Sequence, residues 1–153
     1  MYPRDDAPLE FDYPEDRLYE LFDILSKDEI RNPNVRDHNN DLVRYVIKRG
    51  LTTKTTIGRM TGFDSYERRD TVLGPLNSIE VAIFPYDNNS GPFSRGGDSG
   101  SLIADARRKF GALLTGGTGP TDSSDITYGT AMFWLWKDVI KVKFPRANLY
   151  FKD

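Results

Sequence analysis

The sequence predicts a mainly β fold: a single six-stranded antiparallel β-barrel with one helix before it and another after it. Three observations carry this expectation. From residue 42 onward, short runs rich in β-branched and aromatic residues recur. Gly, Pro and Asn clusters separate those runs. Near both ends, by contrast, apolar residues fall at helical spacing. Closing many short strands into a barrel removes their exposed edges.

The chain has 153 residues, enough for one domain with a real core. Hydrophobic residues make up 38%, which argues against wholesale disorder. Lys and Arg number 21 and Asp and Glu 23, for a net charge of −2. That balance does not predict nucleic acid as a partner. There is no Cys, so a disulfide, a thiolate metal site and a thiol nucleophile are excluded. No metal or cofactor is expected. The first residues lack the apolar core of a signal peptide, and no apolar run approaches a membrane span. The expectation is an intracellular chain without a membrane partner, and the missing Cys fits a reducing compartment.

Two regions are expected: residues 1–41 as a tail, short helix and polar loop, and residues 42–153 as the barrel with its terminal helix. The tail is acidic and carries Pro3 and Pro8. Pro14 suits the first turn of a helix over 14–25. There Leu18, Leu21, Phe22 and Leu25 form one apolar stripe at i, i+3, i+4 and i+7. Ser26-Lys27-Asp28-Glu29 has the capping-box form and starts a second helical turn, which Asn32-Pro33 stops. Residues 34–41 are polar and hold His38, the one histidine. It reads as a solvated loop residue rather than a general base, because no scaffold element aims it.

Six strands follow, over 42–48, 52–59, 79–84, 101–104, 110–115 and 126–131. The breaks are Arg49-Gly50, Gly74-Pro75, Asn88-Asn89-Ser90-Gly91 and 116–120. Met132, Leu135, Trp136, Val139 and Ile140 then sit at i, i+3, i+4, i+7 and i+8, a helix that Pro145 ends. The stripe is read as packing against the barrel wall.

The chemistry is concentrated in Gly96-Gly97-Asp98-Ser99-Gly100-Ser101. Glycines permit a positive φ or a close backbone approach. A serine in such a loop can project its hydroxyl beside clustered N–H groups, the arrangement acyl transfer needs. The same residue types also make ordinary turns.

Three stretches together carry a family resemblance: Val46 to Gly58 (VIKRGLTTKTTIG), Phe93 to Ser101 (FSRGGDSGS) and Gly111 to Gly117 (GALLTGG). In this order they resemble the C-terminal half of trypsin-like, chymotrypsin-fold serine peptidases. They look most like a fungal group whose second barrel opens with a Lys–Gly–Thr–Thr–Gly type strand and ends in a helix. The resemblance covers about residues 42–153. It implies that Ser99 is the acyl-forming nucleophile and that the N–H groups of Gly97 and Ser99 form the oxyanion hole. Asp98 would be the buried prop of the loop. In the activated digestive enzymes a freed amino terminus pairs with that aspartate; here Arg95 or backbone donors are the candidates. Thr115, Gly116 and Gly117 would line the primary specificity pocket, with Phe93 near its base. The substrate implied is a peptide or protein.

The sequence departs from the family in one respect. The catalytic His and Asp of this fold come from an N-terminal barrel, and no stretch here matches the family's histidine motif. Glu80 and Asp87 read as solvent-facing strand and turn residues rather than a triad acid. A serine hydroxyl is a weak nucleophile without a base. The expectation is therefore a serine-peptidase homologue that is inactive alone or is a fragment of a serine endopeptidase. The alternatives are one half of a split active protease, whose partner barrel supplies His and Asp, and a non-catalytic protein-binding module.

Overall fold

The computed structural model describes residues 18–118 and 126–151. Eight strands and a C-terminal helix make up most of it. In chain order these are β1 (Asp23–Ile24), the short helix α1 (Lys27–Arg31), β2 (Val35–Arg36), β3 (Leu42–Gly50), β4 (Lys54–Thr71), β5 (Gly74–Pro85), β6 (Leu102–Asp105), β7 (Lys109–Gly117) and β8 (Thr127–Ala131). The final helix, α2, begins as α over Met132–Trp134. It widens to a π form over Leu135–Ile140 and returns to α over Lys141–Lys143.

Six strands close a ring. β3 pairs with β4, β4 with β5, β5 with β8, β8 with β7, β7 with β6, and β6 returns to β3. Each of these pairings is antiparallel. The six strands expected from the sequence are the six in the ring. Inside it Val46, Met60, Val81, Ile83, Phe93, Ile103, Ala112 and Leu114 form the core. Burying these side chains supplies the main driving force for closure.

The helix expected over 14–25 is not formed in its described part; residues 14–17 lie outside the described residues. Residues 18–22 have no regular structure, and β1 pairs in parallel with β7, Asp23 opposite Lys109. The cause is the edge that β7 offers. Phe22 N–H donates to Arg108 C=O and Leu25 N–H to Phe110 C=O, each at 3.0 Å. Those bonds satisfy the backbone without a helix. The apolar stripe is split accordingly. Leu25 is fully buried in the core, whereas Leu18 is 71% exposed and Phe22 lies under the Arg108 guanidinium.

The capping box does form. The Ser26 hydroxyl accepts from Glu29 N–H, and Glu29 Oε2 accepts from Ser26 N–H at 2.9 Å. Ile30 of α1 enters the same core as the ring. Arg44 of β3 donates to the Glu29 carbonyl and to Asp105 Oδ2, the latter at 2.9 Å, so α1 is fastened to the β3–β6 side. Arg59 pairs with Asp37, whose other oxygen accepts the N–H groups of Asn39 and Asp41. This holds the turn that contains His38.

β4 and β5 run well past the expected limits of 52–59 and 79–84. They form a ribbon whose register continues from Asp64–Val81 to Thr71–Gly74. The break expected at Gly74-Pro75 lies inside β5, and the reversal falls at Val72-Leu73. Of the α2 stripe, Met132 is buried and Leu135, Trp136, Val139 and Ile140 are partly buried, while Trp134 and Val142 are exposed.

Candidate active site

The loop joining β5 to β6 carries Phe93 to Ser101. It is anchored at both ends. At its entry Thr56 donates its hydroxyl to Phe93 C=O at 2.7 Å, and the Ser94 and Thr127 hydroxyls share a buried hydrogen bond of 2.6 Å. At its exit Gly100 N–H donates to Leu114 C=O, and Leu114 N–H donates to Ser101 C=O. The span between is wound by two glycines at positive φ, Gly97 (+95°) and Gly100 (+84°), a region that residues with a Cβ avoid.

Asp98 is the hub. Its side chain is fully buried, and its carboxylate accepts five hydrogen bonds. These come from Lys48 Nζ (3.1 Å), the Thr53 hydroxyl (2.6 Å), and the N–H groups of Thr52 (2.7 Å), Thr53 (3.2 Å) and Arg95 (3.1 Å). Of the partners expected from the sequence, Arg95 contributes only its backbone. The cation is Lys48, whose side chain is as completely buried as that of Asp98. Its ammonium also donates to the Thr53 hydroxyl and lies 5.6 Å from the centre of the Phe93 ring.

Burial by itself raises the Asp98 carboxyl. The Thr53 hydroxyl, the Arg95 and Thr52 N–H groups and the Lys48 ammonium outweigh it and hold the group well below the usual carboxylate range. Burial pulls Lys48 downward, and the facing carboxylate offsets part of that shift. The approach of β3 to this carboxylate needs a glycine. A Cβ on Gly50 would lie 2.3 Å from Asp98 Oδ1.

With Asp98 drawn inward, the next residue is left outward. Ser99 is exposed in the turn. Among the described residues, its hydroxyl, its N–H and the N–H of Gly97 have no hydrogen-bond partner. No hydrogen bond joins Ser99 to His38, which lies exposed in the turn between β2 and β3. Among the described residues, the Ser99 hydroxyl is hydrogen-bonded to no side chain that could take its proton.

Phe93, expected near a pocket base, is 1% exposed and belongs to the core. Thr115, Gly116 and Gly117 form the end of β7. Thr115 donates to Tyr128 C=O at 3.3 Å, Gly116 pairs with Tyr128 and Gly117 with Thr127. Glu80 does not face solvent. It is 6% exposed and accepts from the Thr130 hydroxyl at 2.9 Å. Asp87 is a turn residue, accepting the Asn89 N–H at 2.7 Å. The described residues contain no group of three or more His, Asp or Glu able to hold a metal. None of their helices is long and apolar enough to cross a membrane.

Sequence reasoning missed Lys48, Thr53 and Gly50 as parts of this site. One signal was present: β3 is buried at every position from Val43 to Lys48, and a lysine in such a run requires a partner.

Solved structures with the fold of chymotrypsin-like serine proteases align with the chain. An inactive form of Rv3671c from M. tuberculosis aligns over 84% of this chain and 55% of its own, with 12% identity and a TM-score of 0.51. A chymotrypsin from Cellulomonas bogoriensis aligns over 65% of this chain and 46% of its own, with 17% identity and a TM-score of 0.43. The chain thus spans about half the length of the solved structures it matches. No protein-family model and no curated protein matches the sequence.

Proposed function

We propose that these residues form the barrel of a chymotrypsin-like serine peptidase that carries the nucleophile, nearest to the fungal group named above, and that this chain alone does not hydrolyse peptides. Ser99 is the nucleophile, and the N–H groups of Gly97 and Ser99 are the oxyanion donors. Asp98 holds both in place. Thr115, Gly116 and Gly117 line the substrate side. The observation that carries the reading is the five-fold grip on Asp98, which leaves Ser99 outward with its hydroxyl unengaged.

The missing component is a base. Without one, an oxyanion hole and binding supply only about 10³–10⁴-fold over water in the worked serine-protease case.

A fluorophosphonate probe tests the proposal. The purified chain is expected to label no faster than its Ser99→Ala variant. Rapid labelling that Ser99→Ala abolishes would overturn it, because the proton would then have an acceptor within this chain.

A further inference from the structure

Beyond Leu114, β7 is paired on one side only. Its register with β6 ends at Leu102–Leu113, and the loop bonds of Gly100 and Ser101 stop at Leu114. Gly116 and Gly117 pair with β8 and, among the described residues, present their other edge to no strand. An extended peptide can add to such an edge.

The β4–β5 ribbon reaches this place. A Cβ on Gly116 would lie 2.9 Å from Arg69 Nη2, so the guanidinium occupies the space that a side chain at 116 would fill. In an antiparallel pair, residues directly opposite one another project to the same face. The peptide residue opposite Gly116 therefore points toward Arg69, with no side chain from Gly116 between them. Arg69 is half exposed. Its Nη2 donates to Glu67 Oε2 at 3.0 Å, and its other N–H groups have no acceptor among the described residues.

Two carboxylates lie nearby. Glu67 is committed to Arg69 and is 20% exposed. Glu80 lies behind Thr115, buried and capped by the Thr130 hydroxyl. Arg69 is thus the charged group that an arriving chain meets first, with donors to spare for a carboxylate.

We propose that Arg69 is a specificity-determining residue: it selects an acidic side chain at the peptide position opposite Gly116. This rests on the reading of Thr115 to Gly117 as the substrate strand. Within it, the ribbon supplies a recognition group from an element remote in sequence from Ser99.

The test uses the whole chain and N-acetylated hexa-alanine peptides carrying one Glu, one Gln or one Lys, walked through each position. Binding is followed by amide chemical shifts of Thr115, Gly116 and Gly117. One Glu position is expected to bind about tenfold more tightly than its Gln counterpart, the scale of a hydrogen-bonded charge. Arg69→Gln should remove that preference, and Arg69→Glu should transfer it to Lys peptides. If Glu and Gln peptides move these amides equally, Arg69 is not the determinant, while the substrate-strand reading stands. If none of the peptides, whatever their charge, moves these amides even at millimolar concentration, the edge is not a peptide site and both readings fall. Shifts elsewhere in the ring should be unchanged in the Arg69 variants, which separates loss of recognition from loss of fold.

Discussion

Lys48 and Asp98 are the residues on which the site turns. Breaking a buried pair by removing one member leaves an uncompensated charge, at a typical cost of about 3–5 kcal/mol. Lys48→Met should therefore lower the free energy of unfolding by that scale, read from urea equilibrium unfolding. Replacing both members, as Lys48→Met with Asp98→Leu, should recover part of the loss, since an apolar pair of similar volume needs no desolvation. The depressed Asp98 carboxyl also sets an acid limb. A carboxylate whose folded pKa is lowered stabilises fully above its ordinary value of about 3.9 and loses that contribution as pH falls toward the folded value. Glu29, held down to about 2 against the effect of burial by Lys109 and the Ser26 cap, adds a contribution of the same sign. Stability should thus be flat from neutral pH to about 5 and fall below 4. In Asp98→Asn the slope of stability against pH should be shallower, as thermal melts across that range would report. At this scale the glycine-wrapped Ser99 was legible, because turn chemistry is local. The partner of Asp98 was not, because 50 residues separate it from Lys48. Glu80 was misread for a related reason. Its cover comes from β8, which no local pattern reveals.

Among the elements, α1 is legible down to its cap and 14–25 is not. The capping box is a contact over three residues, so the sequence contains all of it. A five-residue helix does not stand alone in water, and α1 persists through Ile30 in the core and the grip of Arg44 on the Glu29 carbonyl. Ser26→Ala should cost about 1 kcal/mol in denaturant unfolding, the usual loss for an N-cap hydroxyl. The stripe over 18–25 has helical spacing, yet an edge of β7 competes for its N–H groups. Tertiary pairing overrides the period there. The ribbon past residue 59 was hidden for the opposite reason. Glu67-Arg68-Arg69-Asp70 shows no apolar alternation because that stretch buries no face, and its strand character follows from β5 alone.

For the molecule as a whole, six short runs and their breaks were enough to read a mainly β chain, and closure into a ring follows from the β3–β6 pairing. The order of strands around the ring, with β8 between β5 and β7, is not visible in any window of sequence. The β1 strand adds a parallel pairing to an otherwise antiparallel ring and brings Leu25 into the common core. The bond from Lys48 to Asp98 has a bearing on biosynthesis. On the ribosome, the ammonium emerges long before its counter-ion, and the bend that presents Ser99 has nothing to grip until residues 94–105 have left the tunnel. The outward turn of Ser99 is therefore acquired late in chain order, after both partners of the pair have been made.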